Sequence, residues 1–349
     1  GPKGKIICAR GASDDKGQLM TFINACRAIV EINGVLPCKI TILIEGEEES
    51  GSPSLSPFLK KNKKDLKADY ALICDTGMWN STTPAISTML RGMLGEEITI
   101  KAANKDLHSG MYGGPAINPI RELTKLISTI HDDKGRITIK DFYKNVPETP
   151  ATIKKQWDNL NFSSKKFLNS VGLHTSAGEE PYSVLEQLWS RPTCEVNGIW
   201  GGYISPGFKT VIPSEAHAKI SFRLVGDQDP EEIRKSFRLH LKEKMNQDCE
   251  ITFAPKDGSK AITIALDSPA IKAAQKGLFE EWGVLPVYAG CGGSIPVVGF
   301  LKNILNLDSL LVGFGLEDDQ IHSPNEKYSV NSFEKGTRSW IRIINELTK

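Results

Sequence analysis

The chain has 349 residues, more than one ordinary core accommodates and enough for two domains at roughly 150 residues each. Its 43 Lys and Arg against 42 Asp and Glu leave a formal net charge of +1, which argues against nucleic acid or an anionic membrane as a partner. A hydrophobic content of 40% with 24% charged residues excludes a disordered chain, and no apolar run approaches the ~18 residues of a membrane span. The seven cysteines are scattered and form no C-x-x-C, so they read as buried thiols of a reducing, cytoplasmic compartment. Gly1-Pro2-Lys3-Gly4 opens the chain without a Met, as a trimmed N-terminus does, and no signal-peptide pattern follows.

Leu19, Phe22, Ile23, Cys26, Ile29 and Val30 follow the i, i+3, i+4, i+7 rule and predict an amphipathic helix over about 17–32. Lys39–Ile44 is a β-branched run, predicted as a strand, that ends abruptly in Glu45-Gly46-Glu47-Glu48-Glu49-Ser50-Gly51-Ser52. A helix near 55–63 and a short apolar strand at Tyr70–Cys74, ending at Asp75, come next. Strands alternating with helices imply an α/β domain with a mostly parallel sheet and helices on both faces. Ligand sites in such sheets lie beyond the carboxyl ends of the strands, where Glu48, Glu49 and Asp75 stand. The middle reads differently. A strand at 96–103, a helix at 117–131, strands at 194–200 and 215–224, a helix at 230–245 and a strand at 249–254 give β-α-β-β-α-β, the ferredoxin-like α+β unit, interrupted by a helical insertion at about 140–190. A helix at 268–282, strands at 284–289 and 309–313 and a closing helix at 333–348 resume the first pattern. The expected division is therefore a catalytic α/β domain over 1–87 and 262–349, split by a lid over 88–261.

Four clusters can carry chemistry. Asp14-Asp15, after Ala9-Arg10-Gly11-Ala12-Ser13, reads either as a helix N-cap or as ligands. Glu47-Glu48-Glu49 after a buried strand is either a solvated face or a set of mutually repelling carboxylates that a cation relieves. Asp75 ends a strand, and His322 follows Asp318-Asp319. Carboxylates with imidazole suit Zn2+, Mn2+ or Co2+ better than Ca2+. More carboxylates than one ion needs suggest two metal ions roughly 3.5–4 Å apart sharing a water that becomes the nucleophile, with one carboxylate left off the metal as general base.

Six motifs in order carry a resemblance that spans the chain: Arg10–Gly17, Glu45–Ser52, Asp75, Lys105-Asp106-Leu107-His108-Ser109-Gly110, Gly292-Gly293-Ser294-Ile295-Pro296 and His322-Ser323-Pro324-Asn325-Glu326. They resemble the co-catalytic zinc metallopeptidases that include aminoacylases, glutamate carboxypeptidases and succinyl-diaminopimelate desuccinylase, and most closely the carnosinase-type (cytosolic non-specific) dipeptidase branch. The resemblance implies that Asp14 bridges two divalent ions, Zn2+ with Mn2+ or Co2+ as alternatives. It implies Glu49 and His322 as ligands of one metal, Asp75 as a ligand of the other and Asp15 as their support. Glu48 is similar to the family's general base. His108 is similar to a lid histidine that stabilises the oxyanion in the partner subunit, which implies a homodimer through the lid. Asn197 is implied as a lid contact, and Arg223, Gly293 and Ser294 as binders of the substrate's free carboxylate.

The family's earlier His-x-Asp motif, which supplies a further ligand, has no counterpart before Asp14. His131-Asp132-Asp133 fits the pattern but ends a lid helix, in the wrong place, and reads as a decoy. The expectation is a fragment of a longer protein, or a chain that has lost a ligand and leaves one metal position weak. The activity expected is metal-dependent hydrolysis of a peptide or amide bond in a small substrate with a free carboxylate, a dipeptide. The alternatives are an N-acyl amino acid deacylase and an inactive homologue serving as a binding or dimerisation module.

Overall fold

The computed structural model describes residues 4–293 and 295–349. The chain forms two compact units. One takes in the chain up to Met89, Thr263–Cys291 and the chain from Ile295 onward; the other takes in Leu90–Ile262 with the short segment starting at Gly292.

In the first unit a helix spans Lys16–Asn33 and stops at Gly34, whose φ of 76° gives the left-handed C-cap with its N–H on the Val30 carbonyl. Its buried residues are Gln18, Thr21, Phe22, Ala25 and Ile29. That face is rotated from the apolar stripe read in the sequence, and Val30 is exposed. The cause is polar: the buried side-chain Oε1 of Gln18 accepts the backbone N–H groups of Phe314 and Gly315, so the glutamine side must face inward. Phe22 meets the buried Trp340 edge-on at 5.3 Å. Trp340 lies on the closing helix, Val330–Leu347, which packs against the helix Pro269–Trp282. The sheet of this unit is mixed. Asp308–Leu311 runs parallel to Tyr70–Ile73 and antiparallel, at Leu311, to Ala85–Leu90, which also pairs with Ile262–Thr263 and Val287–Cys291. A separate two-stranded ribbon joins Ile6–Cys8 to Lys327–Ser329.

The predicted strand at Lys39–Ile44 does not form. That segment pairs with no strand among the described residues, and Ile42, Leu43 and Ile44 are exposed. β-branched residues favour extended backbone, but a strand exists only where a neighbour satisfies its N–H and C=O groups.

The second unit has the sheet order Thr193–Gly201, Glu215–Leu224, Gly92–Lys101, Glu250–Ser259, antiparallel throughout. Leu94, Ile98, Ile100, Ala218, Ile220 and Phe222 bury one face. The helices Pro119–Ser128 and Pro230–Lys244 start at capping residues Asn118 and Asp229 with Pro just inside, the pattern that fixes a helix start. Glu96 is buried in this core and its charge is met by Arg238 in a two-pronged pair at 2.9 Å, with Arg234 at 3.3 Å. The insertion holds the helices Ala151–Asp158, Ser164–Asn169 and Val184–Trp189. His131-Asp132-Asp133 is a turn: Asp132 accepts the N–H groups of Lys134 and Arg136. All seven cysteines are free, but only Cys194 and Cys249 are buried; Cys26, Cys74 and Cys291 are partly buried, and Cys8 and Cys38 are exposed.

Candidate metal centre

Three loops of the first unit build the site. The first carries Asp14 just before the Lys16–Asn33 helix. Asp15 occupies the N-cap position but makes no side-chain cap hydrogen bond, so capping does not account for it. The second is the acidic run. Glu45 accepts from the Ser52 hydroxyl, Glu47 accepts from the Ser54 N–H and hydroxyl, and a 3-10 turn at Glu48–Ser50 ends at Gly51 with φ 86°. Two of the carboxylates are thereby used locally, which leaves Glu48 and Glu49. The third loop carries His322, which has φ +59°, between Gln320 at +57° and Asn325 at +65°. Three non-glycine residues in left-handed backbone persist only where the surroundings hold them.

The side chains converge. His322 Nε2 lies 2.8 Å from Asp14 Oδ2 and 2.7 Å from Glu49 Oε1. One donor atom from each of Asp14, Glu49 and His322 lies within 4.8 Å of the others. The carboxyl groups repel one another. Burial first, then the charges of Asp14, Glu48 and Glu49, push Asp75 up to about 6. Burial, then Asp75, Asp14 and Glu48, push Asp15 up to about 8. Glu48 is raised by partial burial, then by Glu49 and Asp14. His322 is raised by its hydrogen bond to Glu49 and then by the charges of Glu49 and Asp14. Asp15 Oδ1 is buried with no partner among the described residues. Excess negative charge, one imidazole nitrogen and two carboxylate oxygens within reach of a single point make a donor set that fits a divalent cation such as Zn2+ or Mn2+. An open groove of about 520 Å3, lined by Arg10, Glu49, His322, Ser323 and Pro324, leads onto this cluster.

The structure therefore brings together Asp14, Glu49 and His322. Asp75 and Glu48 couple to them through charge but stand outside that donor group. His108, Asn197, Arg223 and Gly293 belong to the second unit. His108 is exposed and its Nδ1 accepts the Gly110 N–H at 3.1 Å, so the neutral ring carries its proton on Nε2. Asn197 is exposed at an irregularity of the Thr193–Gly201 strand. Arg223 lies opposite Met93 and Thr193 and is partly buried. The Gly292 carbonyl, beside Gly293, accepts from Arg91 Nε at 3.0 Å. Ser294 lies outside the described residues.

Two residues gained no role from the sequence. Glu326 is buried and accepts the backbone N–H groups of Gly11, Ser13 and Asp14 at 2.9–3.0 Å and a guanidinium N–H of Arg10. Asp319 is buried and accepts from the Ser13 hydroxyl, the Leu316 N–H and Lys327 Nζ, each at 2.8 Å. The only sequence signal was their position either side of His322.

Comparison with known proteins bears on this arrangement. The peptidase dimerisation domain family matches residues 88–249. The Cys-Gly metallodipeptidase dug1 of Schizosaccharomyces pombe is 30% identical over 350 residues, covering 99% of this chain and 73% of that protein. The Beta-Ala-His dipeptidase of Rattus norvegicus is 27% identical over 99% of this chain and 71% of its own. The structure of an M20 family metallo-carboxypeptidase from Sulfolobus solfataricus superposes with a TM-score of 0.84 at 29% identity, covering 98% of this chain and 78% of the other. With carboxylates and an imidazole gathered at loop ends of one unit and a dimerisation domain forming the other, the chain belongs to the M20 family of metallopeptidases.

Proposed function

We propose that this protein hydrolyses the peptide bond of a small substrate with a free carboxylate, a dipeptide, in a reaction dependent on two divalent metal ions. The observation that carries the proposal is the Asp14–Glu49–His322 cluster, to which the Asp75 carboxyl is coupled by charge; our reading makes Asp75 the ligand of the second ion. Relatives that are named dipeptidases and match nearly all of this chain support the substrate class. When bound, the metal ions, with Zn2+ our first choice, would acidify water and polarise the scissile carbonyl. Glu48 takes the proton of the attacking water at its carboxylate and passes it to the leaving amine. Its raised pKa suits a group that must hold the proton between those two events. His108, donating from Nε2, stabilises the oxyanion developing in a partner subunit's site, so the working form is a homodimer. Arg223, with the Gly293-Ser294 backbone, holds the substrate carboxylate, and Asn197 contacts the substrate from the same unit. We place the enzyme in the cytoplasm as part of this reading, on the scattered spacing of its cysteines.

The test is turnover of a dipeptide panel by the metal-loaded protein, with chelation as the control. Hydrolysis should vanish with the metal and return on its replacement. Glu48→Gln should keep its metal and lose at least the ~10²–10⁴-fold of general-base catalysis. If Glu48→Gln loses as much metal as Glu49→Gln, Glu48 is a ligand and not the base.

A further inference from the structure

Asp14 and His322 are separated by most of the chain, yet their loops are joined by two buried carboxylates that touch no ligand atom. Glu326 spreads four donors over its two oxygens. Oε1 accepts from Ser13 and Asp14 N–H, and Oε2 from Gly11 N–H and Arg10. Asp319 takes the Ser13 hydroxyl on Oδ2 and Lys327 on Oδ1. Both acids are almost inaccessible, at 1% and 0% exposure. Between them runs the loop that holds Gln320, His322 and Asn325 at positive φ. Such a loop relaxes unless both ends are fixed, and here each end is fixed to the loop that presents Asp14. Arg10 and Lys327 meet the two charges, so the carboxylates remain acceptors in a place where an unpaired charge would be prohibitive.

We propose that Glu326, seconded by Asp319, is the positioning residue of the metal centre: a carboxylate staple that sets the separation of the Asp14 carboxylate from the His322 imidazole. The inference rests on the metal-centre reading and extends it to residues that bind no metal. Partners that orient ligands without touching the ion govern affinity, typically by ~10–100-fold. Glutamine at 326 is nearly isosteric, but its NH2 would face N–H donors on one side or the other, so at least one pair of bonds is lost.

The experiment measures Mn2+ binding by calorimetry for wild type, Glu326→Gln and Ile343→Val, the last a core change in the closing helix. Each is paired with its Tm. Glu326→Gln should bind Mn2+ ~10–100-fold more weakly, while Ile343→Val should lower Tm and leave Mn2+ affinity within about twofold. Wild-type Mn2+ affinity in Glu326→Gln, whatever its Tm, would overturn the staple. Where Glu326→Gln does not fold, Ser13→Ala, which cuts only the bond to Asp319, should weaken Mn2+ binding several-fold, and unchanged affinity there also overturns it. A crystal structure of the metal-free Glu326→Gln variant separates this inference from the reading beneath it. The 2.8 Å contact between Asp14 Oδ2 and His322 Nε2 should open; its persistence defeats the staple. If wild type takes up no Mn2+, the metal reading fails and the crystal structure alone decides.

Discussion

Asp15 and Asp75 set the pH response of the metal-free protein. Their carboxyls stand at about 8 and about 6 against an ordinary 3.8. The folded protein therefore holds protons that the unfolded chain has released. The stability linked to these groups is present below pH 3.8 and is lost as pH rises through 6 and then 8. His322, raised by Glu49 and Asp14, acts in the same direction. Glu326 acts oppositely, because backbone N–H groups and Arg10 hold its pKa below the ordinary 4.5, but its contribution is lost only in acid. Between pH 5 and pH 8 the first set decides. In chelator, Tm should fall by several degrees over that interval. Mn2+ should raise Tm more at pH 8 than at pH 5, since ligands bind metal deprotonated. Thermal melts at both pH values, with and without Mn2+, check this; a flat profile in chelator would show that the carboxylates are not crowded in solution.

The helix pair of the first unit depends on an absent side chain. A Cβ on Gly277 would lie 2.9 Å from the Ile343 backbone nitrogen and 3.0 Å from its Cγ1. Backbone cannot step aside as a side-chain tip can. Gly277→Ala gains about 1 kcal/mol of helix propensity and loses roughly 1–3 kcal/mol to overpacking. A net loss of about 1 kcal/mol, some ~2–4 °C in Tm, should follow, while Mn2+ affinity stays as in wild type. A rise in Tm would mean the two helices can separate freely. Helices of this kind were legible because a buried stripe repeats every three to four residues, as at Ala270, Ile271, Ala274 and Leu278. Ala85–Leu90 was not legible. It has neighbours on both sides and is buried almost throughout, so no alternation marks it. Lys39–Ile44 showed the opposite failure, a strand-like composition with no neighbour to pair among the described residues. At the site, Asp14, Glu49 and His322 were recognisable as motif residues. The work of Glu326 and Asp319 was invisible, because a sequence does not state which backbone N–H groups a carboxylate meets 312 to 315 residues away.

At the scale of the molecule, the second unit holds nearly all of the residues 88–249 that match the peptidase dimerisation domain family. Its Thr193–Gly201 strand pairs on one side only among the described residues and leaves Val196 and Ile199 exposed, an edge that a second copy can cover. If His108 serves the partner's site, His108→Ala and Glu48→Gln homodimers should each be inactive. Mixing them under conditions of subunit exchange should restore up to about a quarter of wild-type activity per site, because random pairing makes half the dimers hybrid and one site of each hybrid holds both native groups. Activity assays alongside a labelled-subunit exchange measurement check this. No recovery despite exchange would place His108 in its own subunit's chemistry.

The ribbon Ile6–Cys8 with Lys327–Ser329 closes almost the whole chain into one loop, and Asp14 meets His322 just inside that closure. During synthesis from the N-terminus, Asp14 and Glu49 emerge long before His322, and the entire second unit is made in between. The group of Asp14, Glu49 and His322 is therefore complete only once His322 has been made. A cation that binds this group in the folded chain and not in the unfolded one would act as a lock between its two distant halves, and its binding would add directly to stability.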